Sequence, residues 1–289
     1  MSERLSSQLE QIILAKIAHD KLAVATMPAI AARCLAALKD ANVTLKRLIS
    51  IIEQDPVIAA RVFRLANSAA YGGGGALKTL ETAVARLGLA KLRTLLIEVS
   101  ARQIFESRDP RIARATRGLW EHSLAVALIA RDLSALAGRE DNMDAAYLCG
   151  LLHDVGKPIV AGMLLEAERL TAAAERGAVW MSSDEWLAAI ALCHRKVGVA
   201  LAQKWQLPDE VVAAIRDCSE FDNADRHAPS NYVRFANAVA KREGYHVGAV
   251  DSDDVMALIM IGRSLLEVND DILGKLTATL RERVTVQAD

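Results

Sequence analysis

The chain has 289 residues, of which 52% are hydrophobic and 25% charged, with a net charge of −1. A chain of that length buries most of its apolar surface, so neither disorder nor dependence on disulfides fits it. Aromatic residues make up only 4% while Ala and Leu abound, which favours helices over a β-sandwich or barrel.

Charge is unevenly spread. Residues 1–115 carry 17 basic and 10 acidic side chains, and the remainder carries 18 and 26. The basic half includes Arg86, Lys91, Arg93, Arg102, Arg108, Arg111 and Arg114. Few aromatics lie among them, so stacking on a single nucleic-acid strand is not supported, and nucleic acid is not expected as a partner. Cys34, Cys149, Cys193 and Cys218 share no CxxC spacing, which excludes zinc-finger and thioredoxin-type readings and suits a reducing, cytoplasmic setting. No uncharged apolar run approaches the roughly 18 residues of a membrane span, and Met1–Arg4 opens with both signs of charge rather than a leader, so no membrane association is expected.

In chain order, the 3.6-residue period predicts helix after helix. Leu9, Ile12, Ile13 and Ile17 open the first, and Met27-Pro28 precedes a second through Cys34 and Leu38. Thr44 caps a third, and Asp55-Pro56 starts a fourth with Asp as cap and Pro in the first turn. Gly72–Gly75 cannot hold a helix and reads as a hinge or docking loop; it lacks the Gly-Lys-Ser/Thr ending of a phosphate loop. Thr79 caps the next helix, interrupted near Gly88, and Asp109-Pro110 opens a long one to Leu136. We place the boundary between an N-terminal helical lobe, 1–109, and a C-terminal lobe, 110–289, at that Asp-Pro. Asp141-Asn142 starts the helix that carries His153 and Asp154, broken or kinked by Gly156 and Pro158. Ser182 and Glu185 form a capping box for a helix ending near His194; Val197–Trp205 is read as a separate helix, followed by helices from Leu207-Pro208, Asn231 and Asp251. Trp120, Trp180, Trp186 and Trp205 read as core anchors. No strand is expected.

The chemistry candidates are His and Asp. His153-Asp154 is an adjacent pair, and an antiparallel helix pair would bring His122 opposite it. Two imidazoles and a carboxylate suit a divalent transition metal, or a harder ion that keeps its waters. Lys157, one turn on, could meet an anionic oxygen. His194 could add a fourth ligand, although as a polar residue at a helix end it is also explained by the helix dipole.

Two stretches carry a resemblance. Gly150-Leu151-Leu152-His153-Asp154-Val155-Gly156-Lys157 resembles the HD superfamily of metal-dependent phosphohydrolases. The stretch from Asp55 to Ser68 (DPVIAARVFRLANS) is similar to a hallmark of the HDOD family, the HD-related output domains of bacteria. Met27-Pro28, Thr79–Gly88, Leu119–Ser123 and His194 through Trp205-Gln206-Leu207-Pro208 follow in that family's order, over roughly residues 20–245. The resemblance implies an all-α, two-lobed helical unit used in signal transduction, with an HD-type helical bundle in the C-terminal lobe. It implies a metal set of His122, His153 and Asp154, completed in active relatives by a late Asp. Asn237 stands where that Asp is expected, and no His-His pair or Gly-Tyr-Pro signature is present. A neutral amide binds a dication less well than a carboxylate. The expectation is therefore a regulatory module with a vestigial site, leaning away from catalysis and binding a protein partner or small regulatory ligand. The divalent ion it would hold, if any, is Mn, Mg or Fe. The alternative is a metal-dependent phosphohydrolase or phosphodiesterase acting on a nucleotide or cyclic dinucleotide, in which Lys157 contacts phosphate.

Overall fold

A computed structural model describes residues 27–68, 77–174 and 182–288, together with 11, 12, 15, 19 and 71. Most of the first expected helix, the tetraglycine run and Trp180 lie outside the described residues. Among the described residues the fold is all helical, with no strand.

The chain clusters into two compact units, one of them Thr26–Gln103 and the other holding Ile104–Asp289. The first unit comprises α1 (Ala29–Ala37), α2 (Leu45–Ile52), α3 (Pro56–Ala66) and most of α4 (Leu80–Phe105). Local chemistry sets these boundaries. Thr44 accepts from the Arg47 amide at 3.3 Å, and Asp55 accepts from the amides of Val57 and Ile58 at 2.9 and 3.1 Å, ahead of Pro56. Asn67 ends α3 and accepts from the Leu77 amide at 2.9 Å, closing the chain across the glycine run. Gly88 interrupts α4, as the sequence anticipated, with φ 76°, a positive value that glycine adopts without strain. The apolar faces converge on Cys34, Leu48, Ile52, Ile58, Val62, Leu92 and Leu96, all essentially inaccessible to solvent.

The second unit contains α5 (Pro110–Leu136), α6 (Met143–Leu152), α7 (Gly156–Ala174), α8 (Ser183–Lys204), α9 (Asp209–Asp217), α10 (Pro229–Arg242), α11 (Ser252–Leu266), α12 (Asp270–Thr277) and α13 (Leu280–Ala288). The middle of α5 is buried on every side, from Ser123 through Ala130, as befits a central helix. It packs against α6, α10 and α13. The segment Glu140–Arg169 has the length and hydropathy of a membrane span, but 89% of its most apolar window is buried inside the protein. A turn at 153–155 also divides it into two helices.

Three expectations need correction. His153 and Asp154 do not lie on a helix: α6 ends at Leu152, the pair occupies the turn, and Pro158 belongs to the first turn of α7, where its missing N–H costs nothing. The helix opened by the Ser182–Glu185 capping box does not stop near His194. It runs unbroken to Lys204, because Arg195 and Lys196 are good helix formers and the apolar period continues through Val197 and Leu201. The start expected at Asn231 falls at Pro229. Asn231 is instead fully buried and ties down the preceding loop, accepting from the Asp222 amide at 2.7 Å and donating to the carbonyls of Asp222 and Asp225 at 2.8 and 3.0 Å.

Candidate metal centre

The site is built by two close approaches. Gly150 on α6 faces the backbone of α5, where a Cβ would come within 2.7 Å of the Ala127 Cα. Only a residue without a side chain lets the two helices approach so closely, and this contact brings the His122 ring to 5.3 Å from that of His153, centre to centre. Gly156, the first residue of α7, lies against the carbonyl of His194; a Cβ there would collide with it. That contact draws α8 to the same point.

The result is one buried carboxylate ringed by cationic or nitrogen groups. Asp154 Oδ2 lies 3.3 Å from His153 Nε2, 3.8 Å from His122 Nε2 and 2.5 Å from Lys157 Nζ, and Asp154 Oδ1 lies 3.7 Å from His194 Nε2. His122, His153 and Asp154 each offer a ligand atom within 4.8 Å of the others. His194 approaches from the other carboxylate oxygen, in the middle of α8 rather than at a helix end, so the helix dipole does not account for it.

The hydrogen bonds decide which ring nitrogen faces inward. His122 Nδ1 donates to the Tyr245 carbonyl at 2.8 Å, His153 Nδ1 to the Gly150 carbonyl at 2.7 Å, and His194 Nδ1 to the Ile190 and Ala191 carbonyls at 2.9 and 3.0 Å. A carbonyl can only accept, so each Nδ1 carries the proton. Burial, reinforced by the charge of His153, lowers the His122 pKa to about 3, and burial lowers that of His194 as well. The His122 and His194 rings, protonated at Nδ1 and with lowered pKa, turn bare lone pairs at Nε2 toward the carboxylate. Burial alone would raise the pKa of Asp154, but His153 and Lys157 outweigh it and hold the carboxyl well below its ordinary value.

The lone pairs of His122 and His194 therefore face another acceptor, the Asp154 carboxylate. His153 Nε2 is buried without a hydrogen-bond partner, despite its 3.3 Å separation from the carboxylate. Backbone carbonyls fixing Nδ1 while Nε2 points inward is the outer-shell arrangement that prepares histidines for a metal. The donor set fits a first-row divalent cation such as Mn²⁺ or Fe²⁺ better than Mg²⁺, which prefers oxygen. Lys157 is the competing charge: its ammonium already lies on Asp154 Oδ2.

Asn237 is on α10, which packs on both α5 and α6. Its Oδ1 is buried and has no hydrogen-bond partner, so the amide that stands in the expected carboxylate position is a second unsatisfied acceptor. One turn further along the same helix face is Lys241. Lys241, Lys157 and His122 help line a cavity of ≈ 270 Å³, together with Val247, Asp251 and Asp254. Sequence reasoning missed Lys241, although its i, i+4 spacing from Asn237 could have revealed it. It also missed Tyr245, whose contribution is a backbone carbonyl that no side-chain pattern announces.

A helical bundle that sets a histidine of one helix against a His-Asp pair at the end of the next defines an HD-type helical fold. Within that class the chain belongs to the HDOD domain family, whose sequence profile matches residues 24–221. Three solved structures share the fold. A candidate metal-dependent phosphohydrolase from Shewanella amazonensis SB2B is 22% identical with a TM-score of 0.76, covering 98% of this chain and 99% of that one. An HDOD domain protein of unknown function from Geobacter sulfurreducens is 23% identical with a TM-score of 0.63, covering 93% and 97%. A candidate signal transduction protein from Marinobacter aquaeolei VT8 is 19% identical with a TM-score of 0.65, covering 100% of this chain and 66% of that one. An uncharacterized protein from Treponema pallidum (strain Nichols) is 29% identical over 208 residues, which are 71% of this chain and 38% of that protein. The chain thus spans well under half the length of that curated relative.

Proposed function

We propose that this HDOD protein is a regulatory module of signal transduction. It holds a divalent transition cation between His122, His153 and Asp154, with His194 at the second carboxylate oxygen, and it acts by binding a small ligand or protein partner rather than by turnover. The observation that carries this reading is the inward set of imidazole Nε2 atoms around one carboxylate, with His153 Nε2 buried and without a hydrogen bond. Such a set is costly to bury unless something positive completes it. When bound, the ion would supply Lewis acidity and tie α5 to the turn between α6 and α7.

Two features weigh against efficient hydrolysis. Asn237 supplies a neutral amide where a hydrolytic centre would gain a carboxylate. Lys157 occupies the oxygen that would have to share the ion. Phosphoryl transfer needs both an activated water and charge stabilisation, and each is weakened by these changes.

Calorimetric titration of chelator-treated protein with Mn²⁺, alongside turnover assays on phosphomonoesters and phosphodiesters, tests the reading. Saturable binding that raises Tm and is lost in His153→Ala, with negligible turnover, is expected. Absence of cation binding would overturn the metal centre. Fast phosphoester cleavage abolished by chelation would overturn the regulatory assignment in favour of a phosphohydrolase.

A further inference from the structure

We propose that the outer face of α11 is a self-association surface, on which a second copy of this chain packs its own α11 antiparallel about a two-fold axis. The proposal goes beyond the regulatory reading and needs neither the cation nor the centre around Asp154.

α11 is apolar on both sides. Val255, Ile259, Gly262 and Leu266 lie on the buried side, where the helix packs on α10. From Val255 to Gly262 no side chain is polar or charged, so the apolar surface continues around the helix. A helix that is apolar all round is normally buried all round. Yet Met256, Met260 and Ile261 are 53%, 71% and 50% exposed, and Ala257 and Ser264 face outward with them. At about 100° per residue, Asp253, Met256, Ala257, Met260 and Ser264 form one stripe along the outer face, with Ile261 at its edge. Scattered exposed apolar residues need no explanation, but a contiguous stripe does, and methionine is enriched at interfaces.

Charge identifies the occupant. The stripe is acidic at its start, beside Asp251, Asp253 and Asp254, and basic at its end, where Arg263 stands next to Ser264. Arg263 donates from Nε to the Val268 carbonyl at 3.0 Å and meets Asp270, itself 91% exposed, at 2.7 Å. Its fork has further donors for an acceptor on another chain. An antiparallel pair with its axis between residues 258 and 259 sets Ala257 of each chain against Met260 of the other. Met256 and Ile261 flank that contact, and Asp253 comes opposite Ser264 and within reach of Arg263. Acidic end meets basic end twice, which is the self-complementarity that a two-fold contact requires. A parallel pair would set Asp253 against Asp253. The three carboxylates at the start of the helix also disfavour a lipid surface, since helices that lie on membranes carry Lys and Arg on their polar face.

The strength follows from the size. A helix of 15 residues is about 22 Å long, so its face belongs at the low end of interface areas. The association is accordingly weak and concentration-dependent.

Sedimentation velocity of the full chain from about 1 to about 300 µM, a range suited to a small interface, tests the proposal. The weight-average mass should climb from 31.2 kDa toward twice that value. Met260→Glu should abolish the rise, and Val286→Glu, at a similarly exposed apolar residue of α13, should leave it intact. Asp253→Lys alone and Ser264→Glu alone should each weaken association tenfold or more. The double variant should recover most of the loss, because the exchanged charges attract only in the antiparallel register. Thermal melts establish that each variant folds. A monomer throughout the range, a dimer that survives Met260→Glu, or single-site losses that the double variant does not repair overturn the proposal. A monomeric chain that floats with anionic vesicles, and ceases to do so in Met260→Glu, would assign the face to a lipid surface and overturn it as well.

Discussion

The backbone of Gly156 is packed directly on the carbonyl of His194, with no room for a side chain between them. This contact holds α7 against α8 and brings the third histidine to the buried carboxylate. Gly156→Ala therefore forces the two helices apart. A loss of about 3 kcal/mol is expected, at the upper end of overpacking costs, because the obstacle is backbone and not a yielding side chain. Gly162→Ala, in the same helix with nothing within 4 Å of the added carbon, should instead stabilise by up to about 1 kcal/mol. Denaturant midpoints of the two variants check the contrast.

Asp154→Ala removes the group on which Lys157 and three imidazoles converge. Breaking a buried charge pair costs about 3–5 kcal/mol, and the lower end applies because Lys157 can swing toward solvent. Chemical denaturation measures the loss, and Mn²⁺ binding should disappear with it.

Lys157→Gln separates competition from support. The ammonium lies 2.5 Å from the oxygen an incoming cation would use. Removing a positive charge from that position should tighten Mn²⁺ binding by at least several-fold, read by calorimetry in the absence of phosphate. Weaker binding would show that Lys157 assists the ion.

Asp109 predicts an acid-sensitive link within the second unit. Its carboxylate caps α5 at the Arg111 amide and meets the side chains of Arg111 and Arg169, at 3.2 and 2.7 Å. The hydrogen bonds from Arg111, then the Arg169 guanidinium, lower its pKa from 3.8 to about 2. A depressed pKa means the native state holds its proton more weakly than the unfolded chain. The stabilisation is thus complete above pH 3.8 and is lost as pH falls through 2. The Tm difference between the wild type and Asp109→Asn should be constant at neutral pH and should vanish on acidification across that window.

All four cysteines are free and buried. Burial pushes the Cys34 thiol up to about 11, with Arg33 opposing only part of the shift. Thiolates are the reactive species, so Ellman's reagent at pH 8 should find no fast-reacting thiol in the folded protein and four after denaturation.

Much of this molecule is written locally. Asp55-Pro56, Asp109-Pro110 and the pair Ser182 and Glu185 announce helix starts because a cap needs only a side-chain oxygen two or three residues from the amides it accepts from. Gly88 announces the interruption of α4 by its freedom at positive φ. The order of the motifs identifies the family, and the residues His122, His153 and Asp154 follow from the resemblance. Local signals misjudged the helix through His194, where a polar Arg-Lys pair resembles an ending but lacks any residue that breaks a helix.

What the amino-acid order by itself determined is the helical class, most helix starts and the family, while His122, His153, Asp154 and His194 stood in it as candidates. Tertiary packing alone decided that His194 approaches Asp154, that backbone carbonyls turn every Nε2 inward, that Lys157 is held by Asp154, and that Lys241 lines the cavity beside His122. The reason is physical. Caps and periodicity act over one or two helical turns, whereas these four outcomes depend on how closely separate helices approach, on groups brought together from far apart in the chain, and on the removal of water around them.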